Sequence, residues 1–302
     1  MDALNALKNN LKSTNNLKEI VFAMKAMAVA NIKIYEKVVL NLLKYQSNID
    51  LGLQAIIKQH PKALEAYSSY AGEGSSEKNR NSRKTIALVI GSNQGLCGKF
   101  NDKIVDFFIE NIHHLDTYYV VTVGNRVNTL VNAKKINVNK HFSMPNSKKQ
   151  LIWLVYSIFN FIDLTLTNDR LTRVVIYFTN YSTKGAGSPT KKRILPLDRK
   201  SFDKLREKEW PTNNIPYWRL DSEKLISGFV QQCMFVNIYL TLVNSIASEQ
   251  ISRIETLQGA EQNIKDRISE ITLQINQTRQ NTITTELLDM ISGVKLLLQK
   301  LE

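Results

Sequence analysis

The chain begins and ends in long stretches that hold no proline and almost no glycine, and this limits its fold more than any other feature. From Asp2 to about Ile57 the one glycine is Gly52, and from Asp221 to Glu302 glycine occurs only at Gly228, Gly259 and Gly293. With so little to interrupt it, a helix can run the length of each stretch, and at about 1.5 Å per residue some fifty residues reach on the order of 75 Å. Apolar residues recur mostly at three- and four-residue steps in both. The first seam is Leu4, Leu7, Leu11, Leu17, Ile20, Met24, Met27, Ile34, Val38, Leu42 and Ile49, with one slip near Thr14. The second is Ile254, Leu257, Ile264, Ile268, Ile271, Ile275 and Leu287, interrupted by polar Glu261, Thr278 and Thr282. Two helices with one seam each, at opposite ends of a chain, pack on each other most simply as an antiparallel coiled coil.

Between them the texture changes. "TIALVIG", "YYVVTVG" and "RVVIYFTNY" are short runs rich in β-branched and aromatic residues, and they alternate with helix candidates around Lys103 to His113, Val127 to Lys134 and Lys148 to Leu164. That alternation predicts a Rossmann-like α/β domain with a mostly parallel sheet and right-handed crossovers, closed by the loop "TKGAGSPTKKRILPL". The expected organisation is an N-terminal coiled-coil helix over 1–60, a Gly/Ser- and charge-rich linker over 61–83, the α/β domain over 84–200, a linker over 201–220 and a C-terminal coiled-coil helix over 221–302.

The 40 basic and 27 acidic residues leave a net charge of +13, which favours acidic partners without choosing among nucleic acid, anionic lipid and protein. Cys97 and Cys233 stand apart with no metal-ligand spacing, so a disulfide framework is not expected and a reducing compartment fits. No secretion signal and no membrane-spanning helix, which needs roughly 18 to 20 apolar residues, are expected, leaving a chain that is soluble or peripheral to a membrane.

One segment invites a nucleotide. In "IALVIGSNQGLCGKFN" an apolar run passes through Gly91, Gly95 and Gly98 into a helix candidate, the outline of a phosphate-binding turn. The Walker pattern requires Lys followed by a hydroxyl for magnesium, and here Gly98-Lys99 precedes Phe100. The dinucleotide pattern fails on glycine spacing. A tight strand-to-helix turn, with Gly95, Cys97 and Gly98 as its structural residues and Cys97 buried, is the better reading. His60, His113, His114 and His141 show no metal-ligand spacing and read as surface residues, and no catalytic set can be assembled. No cofactor is expected. The "TKKR" cluster at Thr190 to Arg193 could meet an anion, but a solvated charged loop is the commoner outcome.

Three blocks carry a family resemblance: "EIVFAMKAMAVA" at Glu19 to Ala30, "GLCGKFN" at Gly95 to Asn101, and the C-terminal run with Ser248-Glu249, Arg253, Asn263, Asn276, Arg279-Gln280, Ile283-Thr284, Glu286-Leu287 and Ser292-Gly293. In content and order the chain resembles the gamma subunit of F-type ATP synthases. Val21, Phe22, Lys99 and the opening "NALKNNLKS" depart from the family pattern and suggest a divergent branch, for which the alternative sodium-linked bacterial enzymes are one candidate.

The resemblance implies a rotor shaft: a coiled coil whose tip enters a ring of alpha and beta subunits, and an α/β domain near the epsilon subunit and the c-ring. Catalysis would reside in the beta subunits, and the chain would be peripheral to the cytoplasmic face of a bacterial inner membrane. Residues carried over as rotor–stator coupling contacts are Met24, Arg253, Arg279, Gln280, Thr284 and Glu286. Two rival readings stand beside it. One is a basic coiled-coil scaffold for nucleic acid, resting on charge. The other is a nucleotide-dependent α/β enzyme, resting on the glycine turn.

Overall fold

The computed structural model describes residues 2–60, 84–112, 117–145, 147–169, 173–182, 185, 187–196 and 199–299. The stretch 61–83, expected as a linker, lies outside the described residues, as do His113 and His114. Helix α1 spans Asp2–Gln59, followed by β1 (Lys84–Ile90), α2 (Phe100–Ile112), β2 (Thr117–Val123), α3 (Asn125–Ala133) and β3 (Lys140–Phe142). Next come α4 (Lys148–Asp169), β4 (Arg173–Thr179), β5 (Pro189–Leu195), α5 (Arg199–Glu207) and α6 (Ser222–Gln299). Two compact units divide the chain, one of residues 29–253 and the other of residues 1–28 with 254–302.

In the larger unit the strands form one sheet in the order β3-β2-β1-β4-β5, parallel except for β5, which runs antiparallel to β4. Because β1 is paired in parallel on both edges and covered on both faces, it reads as a nearly unbroken apolar run. Ile86, Leu88 and Ile90 join Val174, Ile176 and Phe178 against α4 and α6. Ala87 and Val89 face the other way, with Val120, Val175 and Tyr177, onto Ile104 and Phe108 of α2 and Val127 and Val131 of α3.

Helix α6 also packs on α1 in this unit. Ile49, Leu53 and Ile57 meet Cys233, Val236 and Leu240, and Ile56 meets Ile226 and Val230. Tyr45 donates to Gln232 Oε1 at 3.2 Å, so rising numbers in α1 meet falling numbers in α6 and the pair is antiparallel, as expected.

Several expectations need correcting. The closing "loop" contains β5. Its Lys191 and Lys192 are ladder residues opposite Tyr177 and Ile176, not a solvated loop. Lys191 Nζ donates to Asn111 Oδ1 at 2.7 Å, while Lys192, opposite Ile176, lies on the α4/α6 side of the sheet, where burial lowers its pKa. An edge strand with three consecutive basic residues carries little apolar signal, which is why it reads as a loop. The stretch 201–220 opens with α5 and is tied to α1, where Gln54 Nε2 donates to the Lys208 carbonyl at 2.6 Å. Residues 225–248 carry no charge, and α6 is long and apolar enough, by length and composition alone, to cross a membrane. Its apolar side chains there are the core that faces the sheet and α1.

The smaller unit holds the first half of α1 and the second half of α6. Along α6 the covered positions include Leu257, Glu261, Ile264, Ile268, Ile271, Ile275, Thr278 and Thr282, which step alternately by four and three residues, with Ala260 and Gln274 half-buried beside them. Glu261, Thr278 and Thr282 are therefore members of the seam, whereas Leu287 is half exposed and outside it. On α1 the seam is Leu4, Leu7, Leu11, Thr14, Val21, Met24 and Ala28. No slip occurs at Thr14, and the frame that continues through it leaves Leu17, Ile20 and Met27 exposed. Polar residues on the seam hide the heptad from an apolar count.

Candidate functional site

The strand order places a topological switch point between β1 and β4. There an open α/β sheet ordinarily receives a ligand beyond the carboxyl ends of its strands. The turn after β1, residues 91–99, lines one side and the residues after β4, from Asn180 on, line the other.

Local hydrogen bonds fix the first wall. The Ser92 amide donates to Asn101 Oδ1 at 2.9 Å, and Asn101 Nδ2 donates to Ser92 Oγ at 2.8 Å, so α2 and the strand end are joined by one buried amide. Gly98 takes φ 55, a left-handed value that glycine adopts without strain, while a Cβ on Gly91 would stand 2.6 Å from that of Val127. Gly95 is less constrained: its Cβ would meet only the Arg126 guanidinium, at 3.3 Å. The left-handed residue beside it is Leu96, at φ 60. Cys97 is 2% exposed, as the sequence led one to expect, and burial pushes its thiol pKa up, partly offset by the Ser92 hydroxyl.

The crevice is filled by the chain's own helix. Ser252 Oγ on α6 donates to the Cys97 carbonyl at 2.9 Å. One turn earlier Ser248 is fully buried, and a Cβ on Gly187 would come within 2.6 Å of its hydroxyl, so the helix lies directly on the β4–β5 connection. Beyond β4, Tyr181 donates to Glu36 on α1. Burial, and then this carboxylate, push the tyrosine pKa up to about 12.

Beside the two serines, each one residue further on, runs a buried ion pair, Arg253 to Glu249 at 2.5 Å, four residues apart on α6. Burial raises the Glu249 pKa, and the guanidinium pulls it back only in part. The Nε of Arg253 and the hydroxyl of Ser248 have no hydrogen-bond partner among the described residues. No group of three or more His, Cys, Asp or Glu among these residues is placed to hold a metal. His141, expected at the surface, is half-buried between Thr122 Oγ1 at 3.1 Å and Asn125 Oδ1 at 3.0 Å, linking β3 to α3.

The carried-over residues fall in two places. Arg253 is the last residue of the larger unit and is 7% exposed, with its NH2 nitrogen committed to Glu249. Met24, Arg279, Gln280, Thr284 and Glu286 belong to the smaller unit. Met24 is half-buried on the seam beside Lys25, which pairs with Glu261. The other four are exposed, and Thr284 Oγ1 donates to the Gln280 carbonyl at 3.0 Å. Sequence reasoning missed Ser248, Ser252 and Glu249 as site residues. The Glu–Arg spacing of four is visible in the sequence, but the carbonyl that Ser252 meets is not.

Fold and site define an α/β domain that holds, within the larger unit, segments of the two helices that begin and end its own chain. A family model described as ATP synthase matches residues 3–297, and the chain belongs to that family. Its relatives include the ATP synthase gamma chain of Mycoplasma capricolum subsp. capricolum, 25% identical over 298 residues and covering 97% of this chain and 98% of that one. Another is the ATP synthase gamma chain of Rickettsia felis, 23% identical with 97% and 99% covered. Among solved structures, a chain of the Euglena gracilis mitochondrial ATP synthase (OSCP/F1/c-ring, rotational state 3) matches with a TM-score of 0.66 at 14% identity, covering 98% of this chain and 95% of that one. A chain of the rotor of that enzyme matches at 0.62 and 13%, covering 93% and 99%. These structural likenesses show the fold. The nucleic-acid scaffold finds no support in them. Against the nucleotide-dependent enzyme stands the occupied crevice.

Proposed function

We propose that the chain is the central rotor shaft of a membrane-associated F-type ATP synthase. It is a non-catalytic gamma subunit that couples ion-driven rotation of a c-ring to ATP synthesis or hydrolysis in a ring of alpha and beta subunits. Family membership over nearly the whole chain supports the assignment. The observation that carries the mechanical reading is the exposed apolar surface of the smaller unit. Outside the seam, α1 presents Leu17, Ile20, Phe22 and Met27, and α6 presents Leu273, Ile283, Leu287, Leu288, Met290 and Ile291, all exposed. A two-helix coil with this much apolar surface beyond its own contact calls for an enclosing protein, here the alpha–beta ring.

In this reading the helices 1–60 and 221–302 form the shaft, and the domain over 84–200 meets the epsilon subunit and the c-ring. The stretches 61–83 and 201–220 join them. The chain sits on the cytoplasmic face of a bacterial inner membrane. A shaft biases three identical catalytic sites only if its faces interact unequally with them, and the apolar, Lys-rich and polar sides of the coil supply unlike faces. Met24, Arg279, Gln280, Thr284 and Glu286 are its ring contacts, and Arg253 sets the helix geometry where the domain ends. Mixing the purified chain with its cognate alpha and beta subunits should give a complex whose ATP hydrolysis differs from that of the alpha–beta mixture. Failure to enter the complex, or entry with no change in hydrolysis, would remove the proposal.

A further inference from the structure

A shaft that receives torque through an α/β domain must be fixed to that domain against rotation, and a helix packed only by apolar side chains resists slippage poorly because such contacts have no direction. At the switch point the larger unit supplies one directional contact to α6 and a steric one beside it. Ser252 Oγ is bonded to the Cys97 carbonyl in the turn after β1, and Ser248, four residues earlier, lies against the backbone at Gly187 after β4. Four residues span about 6 Å of helix, so both walls of the switch-point crevice hold α6 within roughly one turn. The buried Glu249–Arg253 pair spans the same turn and keeps it wound. Tyr181 holds Glu36 and so brings α1 into the same grip.

We propose that the crevice which binds ligands in other doubly wound domains serves here as a torque clamp, in which Ser252 is a positioning residue that locks α6 to the "GLCGKFN" turn. The inference rests on the rotor reading and deepens it. It gives that turn a mechanical role, in which Gly98 and the Ser92–Asn101 amide hold the Cys97 carbonyl where the Ser252 hydroxyl meets it.

The test uses the whole complex in liposomes, with Ser252→Ala and Ser252→Thr compared with the unaltered chain. Three quantities are read: ATP hydrolysis, ions transported per ATP hydrolysed, and hydrogen exchange at the amides of residues 95–101. For Ser252→Ala, hydrolysis should hold at the unaltered value, exchange at the turn should quicken about fivefold, the factor for one neutral hydrogen bond, and ions moved per ATP should fall at least about twofold. Ser252→Thr, which keeps the hydroxyl, should restore both. Faster exchange with unchanged ions per ATP would overturn the clamp, since the bond would open without loss of coupling. A proportional fall of hydrolysis and transport would overturn it too, because Ser252 would then serve folding alone. If the unaltered chain neither assembles nor alters hydrolysis, the rotor reading fails first and the clamp with it.

Discussion

Arg253 and Glu249 form an ion pair at 2.5 Å with side chains only 9% and 8% exposed, in a turn of α6 that lies between the turn after β1 and the connection after β4. A pair so placed carries a large desolvation cost, and the upward displacement of the Glu249 pKa is its sign. Removing one partner strands the other. Arg253→Met should therefore cost about 3–5 kcal/mol, whereas Arg253→Met with Glu249→Leu should recover most of that loss. Denaturant unfolding of the four chains of this cycle measures the coupling. Additive single effects would show that the two side chains act independently.

In the smaller unit Glu261 accepts from Lys25 and, at 2.9 Å, from Lys265. These two hydrogen bonds, the Lys25 one first, hold its pKa down at about 2, against an ordinary 4.5. The folded-state pKa is depressed, so the unfolded chain takes up the proton first. The stabilisation is complete above pH 4.5 and is lost as pH falls towards about 2. Glu261→Gln should lower the melting temperature of the helical pair at neutral pH, with the difference from the unaltered chain shrinking through that window. Melting curves followed by helicity at several pH values read this out. A gap that stayed constant down to the acid end would contradict it.

The glycines of the turn are not equivalent. Gly98 has φ 55, so Gly98→Val should destabilise by about 1–3 kcal/mol through backbone strain. At Gly95 the added carbon meets only a flexible guanidinium, so Gly95→Val should cost less. The thiols report on the same region. Cys97 and Cys233 are both buried. The Cys233 pKa is pushed up to about 12, by burial first and Asp50 second. Both should label slowly in the folded protein, and Gly98→Val should speed Cys97 while leaving Cys233 slow. Equal acceleration of the two would mean general loosening instead of a local opening of the turn.

Much of the architecture was legible because its signals are local. Absence of proline marks α1 and α6, and the apolar runs Ile86–Ile90 and Val174–Phe178 mark strands covered on both faces. What stayed hidden depends on partners distant in the chain. The strand character of Thr190–Leu195 comes from its ladder with β4, and Thr14, Glu261 and Thr278 belong to the seam by position and not by polarity. Nothing local to Ser252 announces a carbonyl 155 residues away. The turn illustrates both limits. Its sequence marks the glycines as conformational, which holds for Gly98, but the occupant of the crevice beside it follows only from the placement of α6.

The exposed polar residues near the end of α6 divide stability from coupling. Arg279, Gln280, Thr284 and Glu286 are exposed, and the Thr284 hydroxyl bonds the Gln280 carbonyl within a single helix turn. Alanine at any of the four should leave the stability of the isolated chain within about 0.5 kcal/mol, because nothing buried is lost. If they are ring contacts, the same substitutions change the ATP hydrolysis rate of the assembled complex. Effects confined to assembled complexes separate these positions from Arg253, whose replacement moves the isolated chain's stability first. Paired measurements on each variant, unfolding of the chain and hydrolysis by the complex, therefore sort contact residues from internal struts. Unchanged hydrolysis in all four would take them out of the coupling surface and leave the exposed apolar side chains Ile283, Leu287, Leu288 and Met290 as its substance.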